Sequence, residues 1–382
     1  MPEAHSYLKA LLANLQNLRE KAGLTESSLE ERLILGPGWV GRFERGEVVP
    51  SIDMVLAILH ELNSNFVDLL QDLPQPEANT IERVIFAEQS GKNTLVHFNY
   101  AKFDAEYILP DSTIDEFEAV IKALRNGLSQ LTNTDQAHSE AVKSDSVAKA
   151  FLKAVALWPH ANASDLWWFL VYRAYCDPYN HPAQYARLDF TQSWKRTGGW
   201  ALEEILVRHY GPYLKEQGVN LFIADGATKQ QLIRELKLPG RVEADKIDVV
   251  LTGDMHEAQR FFGVVHVKAS FAERRTDDVP LSRALKDAGY TSPLWTMDCK
   301  STPGANPSNR GELGAAVGKR SAKRMDIEDQ GEFTGCFSYN QNTLPSPETF
   351  PAERRVLVCD FSNPDDVFSQ FILRRWQAFR AS

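Results

Sequence analysis

The sequence predicts an all-α domain at the N-terminus, followed by an α/β (α+β) region. Three observations lead to this fold class. Leucines recur at three- and four-residue spacing through the first 74 residues, as on the buried faces of short helices. Two apolar runs, 247–252 and 261–270, have the composition of paired strands, and helical patterns rich in aromatic residues fill 147–213. A chain of 382 residues is too long for one ordinary core, so two or three domains are expected.

Composition indicates a folded protein of acidic character. The formal net charge is −9, and 43% of the residues are hydrophobic. No apolar run approaches the roughly 20 residues that cross a bilayer, and the N-terminus lacks the basic start and cleavage site of a signal peptide. The four cysteines lie far apart, which favours a reduced, cytoplasmic location over disulfides or a zinc site. The acidic balance argues against a non-specific nucleic-acid binder, but it allows a nuclease with a local basic cleft.

Residues 1–74 predict five short helices packed as one unit. Thr25 has the position of a helix cap, the GPG at 36–38 makes a turn, and Pro50-Ser51 opens a further helix. A short helix between these two turns covers 39–45 and closes at Gly46. The prediction is therefore a compact helical domain that ends before Pro74-Gln75-Pro76, which has the composition of a linker.

Residues of a known pattern occur along this whole segment. They are Leu18-Arg19, Gly23-Leu24-Thr25, Val40, Phe43-Glu44-Arg45-Gly46, Pro50-Ser51 and the apolar run 56–62. With them the segment resembles a Cro/repressor-type (XRE-family) helix-turn-helix. The resemblance implies that the third helix enters the DNA major groove, with Trp39, Gly41 and Arg42 facing the bases.

The charge of this domain departs from what DNA binding favours. Glu26 stands where the family has a phosphate-contacting glutamine, and residues 1–74 carry six Lys and Arg against eleven Asp and Glu, a net charge of −5. Because phosphate neutralisation supplies most non-specific affinity, the domain is expected to bind DNA weakly by itself. Two interpretations stay open: sequence-specific DNA binding, and a structural or oligomerising role.

Residues 75–146 are predicted to form a small α/β connecting domain. Two or three short strands are predicted, with a hairpin turn at 90–93 between them. Thr113 caps a helix over 114–131. The polar stretch 131–146 is expected to be a loop. No catalytic constellation is visible in this part of the sequence.

The third part, 147–382, contains the candidate catalytic and metal-binding residues. A predicted helix over 200–213 places Glu203 at the edge of its apolar stripe, and a half-buried carboxylate needs a partner or a metal. If the runs 247–252 and 261–270 pair antiparallel, Asp248 lies across from Lys268. Carboxylates beside a lysine suit Mg²⁺-assisted phosphodiester hydrolysis, in which the lysine orients a water and steadies the developing charge.

Longer stretches around these residues match a known family: SWKRTGGWALEE, KIDVVL, GVVHVKASFAERRTDDVPLS, NRGELG and SYNQNT. With them the region resembles the PD-(D/E)XK nucleases, and most of all the BsaWI-type type II restriction endonucleases of the group that cuts CCGG-core sites. The resemblance implies a mixed sheet flanked by helices, with Mg²⁺ as cofactor. It assigns Asp248 as the metal-binding aspartate, Lys268 as the catalytic lysine and Glu203 as the helix carboxylate and second metal ligand.

One acid of the family pattern is missing. His266 stands two residues before the lysine, where the pattern has a carboxylate, and Ser282 stands where related enzymes recruit a glutamate. Glu203 is the first candidate to complete the metal shell. The poorer candidates are Glu273, Asp277 and Asp278.

The charged segment after Lys268 is the candidate reader of the DNA bases. In the related enzymes an Arg-x-acid-Arg segment follows the lysine, and here the matching residues are Glu273 and Arg274, followed by Arg275 and Asp278. Arginine pairs with guanine O6 and N7, and a carboxylate accepts from cytosine N4. A solvated helix start with Arg–Asp pairing is the alternative. Further on, Lys319, Arg320, Lys323 and Arg324 form a basic cluster, either for phosphate contacts or as a solvated loop.

The resemblance also implies partners. They are double-stranded DNA, a second copy of the chain because a palindromic site calls for two active sites, and a cognate DNA methyltransferase in the same system. The competing hypothesis is a transcriptional regulator whose C-terminal region is a non-catalytic, nuclease-derived domain.

Overall fold

The chain divides into two compact units, Met1–Glu82 and Arg83–Ser382. Both come from a computed structural model that describes residues 2–71, 83–100, 103–131, 136–182, 185, 189–236, 243–256, 258–270, 275–302, 304–315 and 318–382. No helix in these ranges is long and apolar enough to cross a membrane.

The first unit is all-α, as predicted, and its helices surround one small core. Their bounds are α1 (Pro2–Lys21), α2 (Glu26–Arg32), α3 (Trp39–Glu44), α4 (Ile52–Glu61) and α5 (Phe66–Leu70). The Thr25 hydroxyl accepts from Ser28 N and caps α2, and Ser51 caps α4 in the same way. Leu12, Leu15, Leu29, Val40 and Phe43, among others, are fully buried in the core.

The second unit begins with an antiparallel three-stranded meander and two long helices. The bounds are β1 (Ile85–Ser90), β2 (Asn93–Tyr100), β3 (Phe103–Leu109), α6 (Ile114–Leu128) and α7 (Gln136–Leu157). Thr113 and Glu116 form a complete capping box at the start of α6. Residues 136–146, predicted as a loop, are the first turns of α7, because Ser144, Ser146 and Val147 bury one face of that helix.

Residues 75–146 were predicted to form a separate domain. In the structure the meander instead belongs to the same unit as the region that follows it. Val96, Phe98 and Phe117 lie in the same hydrophobic core as Phe151 and Leu202 of the following region. The meander and α6 therefore share one core with the larger region.

A six-stranded mixed sheet organises the rest of the unit. The remaining elements are α8 (Ala163–Asp165), continued by a π-helical turn (Leu166–Val171) and α9 (Tyr172–Cys176), then α10 (Phe190–Glu216), β4 (Val219–Phe222), α11 (Gly226–Leu236), β5 (Val249–Met255), β6 (Ala258–Lys268), α12 (Arg275–Asp287), β7 (Leu294–Thr296), α13 (Ala322–Glu328), β8 (Cys336–Ser338), β9 (Val356–Val358) and α14 (Val367–Ala381). The sheet order is β4-β5-β6-β7-β8-β9. Strands β4 to β6 pair antiparallel, whereas β6 to β9 pair parallel.

Helices cover both faces of this sheet. Val249 and Leu251 of β5 belong to the core that includes Leu202 of α10 and Trp376 of α14. On the opposite face, Val250 packs with Leu281 and Leu285 of α12. The alternation follows from the period of two along a strand, and it confirms the predicted α/β class.

Candidate active site

The hairpin of β5 and β6 brings Asp248 to Lys268. The pairing is antiparallel with Val249 opposite Val265, so the residue before β5 lies beside the end of β6. The Asp248 carboxylate oxygen Oδ2 accepts from Val267 N at 2.8 Å and from Lys268 Nζ at 3.1 Å. The strand pairing predicted from the sequence therefore produces the predicted carboxylate–ammonium contact.

A second carboxylate reaches the same ammonium. Asp278 Oδ2, on α12, lies 3.1 Å from Lys268 Nζ, and its side chain is only 6% exposed. This position differs from the expected role in base reading, because a carboxylate closed in against Lys268 is not open to a groove of DNA. Asp278 is buried on the same side of α12 as Leu281 and Leu285, at three- and four-residue spacing. The sequence offered Asp278 as one of the poorer candidates for the metal shell, and this spacing is the signal that would have favoured it.

The two aspartates determine the charge state of Lys268. Burial lowers the pKa of a lysine, but here the charges and hydrogen bonds of Asp248 and Asp278 outweigh burial and hold the pKa of Lys268 above its ordinary value. Lys268 is therefore an ammonium ion at neutral pH. In this state it can donate hydrogen bonds and stabilise negative charge.

Glu203 of α10 approaches the site from the neighbouring helix. Burial, followed by the negative charge of Asp248, raises the pKa of Glu203 to about 8. Its side chain also lines a cavity of about 340 Å³ together with Trp200 and Ile223. A carboxyl group whose ionisation is opposed by burial and by another carboxylate gains most from a nearby cation.

The two positions where the family has other acids are occupied by a neutral hydrogen-bond chain. His266 Nε2 lies 2.9 Å from Ser292 Oγ, and that hydroxyl donates to Ser282 Oγ at 2.9 Å. His266 is fully buried, and burial lowers its pKa, so the imidazole is neutral at physiological pH. His266 and Ser282 are thus linked through Ser292, although the buried Nδ1 atom of His266 has no hydrogen-bond partner among the described residues. Asp278 supplies the acid at Lys268.

The donor set suits a hard divalent cation. Within the described residues, no three His, Cys, Asp or Glu side chains are arranged as a metal-ligand set. Mg²⁺ needs fewer than three protein ligands, because it keeps several waters and is bound through one or two carboxylates. Asp248 and Glu203, with Asp278 close by, can provide those oxygens.

The structure describes the predicted base-reading residues only in part. Glu273 and Arg274 lie outside the described residues, and Arg275 is described only as the first backbone residue of α12. They stay a prediction.

The basic cluster over 319–324 turns out to be largely an internal ion-pair network. Arg324 is fully buried and its Nε donates to Glu328 at 2.8 Å. Arg320 pairs with Glu328 and Asp329, and Lys323 lies 2.7 Å from Glu312. Three of the four cations are thus engaged within the protein, which disfavours the predicted phosphate contacts.

The motifs NRGELG and SYNQNT meet beside the ends of β7 and β8. Asn340 Nδ2 donates to the backbone oxygens of Asp298 at 3.0 Å and Asn309 at 3.3 Å. The Asp298 carboxylate accepts from Glu312 N and from Thr343 Oγ1, both at 2.6 Å. Burial raises the pKa of Asp298 to about 6. These motifs therefore hold together the loops at the edge where β6 ends on Lys268.

In the helix-turn-helix unit, the three predicted DNA-facing residues differ in exposure. Arg42 is exposed, Trp39 is half-buried and packs edge-on against Phe43 at 5.6 Å, and Gly41 is buried. A Cβ added at Gly41 would lie 2.5 Å from the Glu26 carboxylate. Glu26 thus covers the start of α3, and Arg42 is the residue of the three that is best placed to contact DNA.

Together these features define a class: an α/β restriction-endonuclease core in one unit and a helix-turn-helix domain in the other. Comparison with known proteins agrees for both units. The family described as a helix-turn-helix domain matches residues 10–63. The type II restriction enzyme AgeI of Thalassovita gelatinovora is 38% identical over 237 residues, which cover 60% of this chain and 83% of that enzyme. The chain belongs to the type II restriction endonuclease family.

Solved structures support the same fold. The crystal structure of the specific AgeI–DNA complex matches with a TM-score of 0.64 and 31% identity, over 74% of this chain and 99% of that one. A pre-specific BsaWI–DNA complex aligns over 70% of this chain and 95% of that one, at 16% identity and a TM-score of 0.32, which is too low to add to the fold assignment. The predicted restriction-endonuclease resemblance is confirmed.

Proposed function

We propose that this restriction endonuclease uses Mg²⁺ to hydrolyse both strands of a short palindromic duplex with a CCGG-like core, through a PD-(D/E)XK active site. The observation that carries the proposal is the Lys268 ammonium held between Asp248 and Asp278, at 3.1 Å from each, where two paired strands meet. The type II restriction enzyme AgeI shares the fold and 38% of the aligned residues.

Each residue has a definite task in this proposal. Asp248 and Glu203 hold the metal, and Asp278 supports Lys268 and is available as a further oxygen ligand. A metal bound there would supply polarisation of the scissile phosphate and a lowered pKa for a coordinated water. Lys268 donates hydrogen bonds that orient the attacking water and stabilise the charge that develops on the phosphate. Glu273, Arg274 and Arg275 read the central base pairs.

The test is digestion of a fully sequenced plasmid that carries several CCGG-core sites. With Mg²⁺ we expect discrete double-strand cuts at a subset of those sites, mapped by run-off sequencing of the ends, and with EDTA we expect none. If the protein cuts neither methylated nor unmethylated DNA at any metal concentration, the proposal fails, and the regulator hypothesis takes its place.

Several partners follow from the same proposal. A palindromic site requires two active sites, so a homodimer is expected on DNA, and sedimentation with and without a cognate duplex measures it. A cognate DNA methyltransferase is expected to protect the same site. The four cysteines are all free, in keeping with the reduced cytoplasm where such a system operates.

The helix-turn-helix unit is proposed to add a second DNA contact. It would help target recognition, bind a second copy of the site, or repress the protein's own operator. The supporting observation is the family match over residues 10–63 together with the exposed Arg42 on α3. In the full chain, Arg42→Gln is expected to weaken binding to the target duplex without reducing the single-turnover cleavage rate at saturating protein. Unchanged affinity would assign the unit a structural role.

A further inference from the structure

The N-terminal half of helix α10 presents an outer face that nothing within the described part of the protein covers. The helix spans Phe190–Glu216, and its buried residues lie on one side: Phe190, Trp194, Thr197, Gly198, Ala201, Leu202, Ile205, Leu206, Tyr210 and Leu214. Lys195, Arg196 and Gly199 are exposed on the other side. Arg196 and Glu203 are seven residues apart, so they share one face of the helix and are about 10 Å apart along its axis.

The exposed Gly199 has no packing explanation among the residues that the structure describes. Glycine destabilises a helix interior relative to alanine, so its presence there needs a packing or functional reason. At Gly198 the reason is visible, because a Cβ would lie 3.1 Å from Trp194 Cε2. At Gly199 a Cβ would meet nothing within 4 Å. The space over Gly199 is therefore open to something outside this chain.

The two cations beside this glycine are free within the described residues. Neither Lys195 nor Arg196 has an ion-pair or hydrogen-bond partner there, and both side chains are exposed. Arg208, farther along the same helix, behaves differently, because it pairs with Asp145 at 2.8 Å and with Glu204 at 3.0 Å. In a chain of net charge −9, two adjacent unpaired cations mark a place for an anion.

We propose that the N-terminal half of α10 is a DNA-backbone contact surface. One DNA strand crosses the helix at Gly199, where the absence of a side chain allows close approach, and Lys195 and Arg196 contact phosphates on that strand. Because Arg196 and Glu203 share a helix face, the contacted phosphates flank the bond being cut. The inference rests on the proposed DNA cleavage by this site and assigns it a positioning surface.

The test is the salt dependence of binding to a 30-bp duplex by the full chain, measured without metal so that no cleavage occurs. Lys195→Gln and Arg196→Gln are each expected to weaken binding about 5–10-fold at 0.1 M salt and to reduce the slope of log K against log salt by about 0.9. Lys215→Gln is the matched control, since Lys215 is an exposed lysine at the far end of the same helix. Lys215→Gln should change the DNA affinity and the salt slope by less than either of the other two substitutions does. The helix-turn-helix unit is the same in all variants, so the difference reports α10.

Two substitutions at Gly199 separate contact from folding. Gly199→Ala and Gly199→Leu fit the open space and are expected to raise the melting temperature slightly, because both residues favour helices. Gly199→Leu is expected to weaken DNA binding at least tenfold, and Gly199→Ala by less. Wild-type affinity in Gly199→Leu, or wild-type slopes in both cation variants, overturns the proposal. If instead the wild type cuts no DNA while the cation variants lose slope, the proposed cleavage fails and the DNA surface stands.

Discussion

The two units of this protein each enclose a cation against carboxylates, but they balance the charge differently. In the helix-turn-helix unit, Arg19 and Glu44 form a two-pronged pair at 2.8 and 2.9 Å, with side chains 8% and 6% exposed. In the nuclease unit, Lys268 is shared by Asp248 and Asp278 and stays 23% exposed, with Glu203 nearby. In the first site one buried cation meets one buried carboxylate, and the further carboxylate, Glu20 at 3.8 Å, is exposed to solvent. The second has more carboxylates than cations and an opening, which is what a metal site requires.

The largest expected effect is on catalysis at the open site. Lys268→Ala should reduce the single-turnover cleavage rate by on the order of 10²–10³, because it removes a preorganised donor to the developing negative charge. DNA affinity should stay within a few-fold. Lys122→Ala, an exposed lysine on α6, serves as control and should cleave normally. Wild-type cleavage by Lys268→Ala would remove the lysine from the mechanism.

At the Arg19–Glu44 site the expected effect is on stability. Arg19→Ala leaves the Glu44 carboxylate buried without its partner, so the helix-turn-helix unit should lose about 3 kcal/mol. Denaturant unfolding of the full chain should show one transition moved to lower denaturant and the other unchanged. The double variant Arg19→Met/Glu44→Leu should recover most of the loss. If both transitions moved equally, the two units would not be thermodynamically separable.

The next effect, on the cleavage rate, distinguishes Asp278 from the neutral His266–Ser292–Ser282 hydrogen-bond chain beside it. Asp278→Asn should slow cleavage by about tenfold to a hundredfold, since it removes one of the two charges that hold Lys268 in place. Ser282→Ala, on the same helix and equally buried, should cost some stability with little change in the cleavage rate. Activity of both variants is measured at saturating Mg²⁺. A base-reading role for Asp278 would instead appear as relaxed sequence specificity with an unchanged rate.

The smallest effect is a pH dependence confined to the nuclease unit. Burial raises the pKa of Asp366 to about 6, and its carboxylate accepts from Tyr210 Oη at 2.7 Å. A carboxyl with a raised pKa holds its proton longer in the folded state, so stability falls as pH rises from about 4 to 6. Asp366→Asn keeps the helix cap and should remove the contribution of Asp366 to this decline, gaining on the order of 2 kcal/mol relative to wild type between pH 4 and 7. Parallel pH profiles for the two proteins would contradict the assignment.

Much of the fold and part of the site could be predicted from the sequence. Local signals were sufficient for the caps at Thr25 and Thr113 and for the hairpin that joins Asp248 to Lys268, because these depend on residues close in the chain or on simple strand pairing. The helix over 136–146 was missed because its polar sequence is stabilised by one buried face, which is a tertiary effect. For the basic cluster over 319–324, the partners Glu328 and Asp329 are close in the chain, but only the tertiary structure shows that the Arg324–Glu328 pair is fully buried and that Glu312 reaches Lys323.

What the sequence by itself determined is the pair of domain classes, since motifs and strand patterns record local constraints. It also predicted Asp248, Lys268 and Glu203 as the site residues. Only the tertiary structure decided the position of Asp278, the His266–Ser292–Ser282 chain and the open face of α10. Each of these depends on which side chains are brought together from separate elements, and on how much water the surrounding packing excludes. Burial and proximity determine whether a carboxylate supports a lysine or reads a base, and neither quantity is visible in a linear pattern.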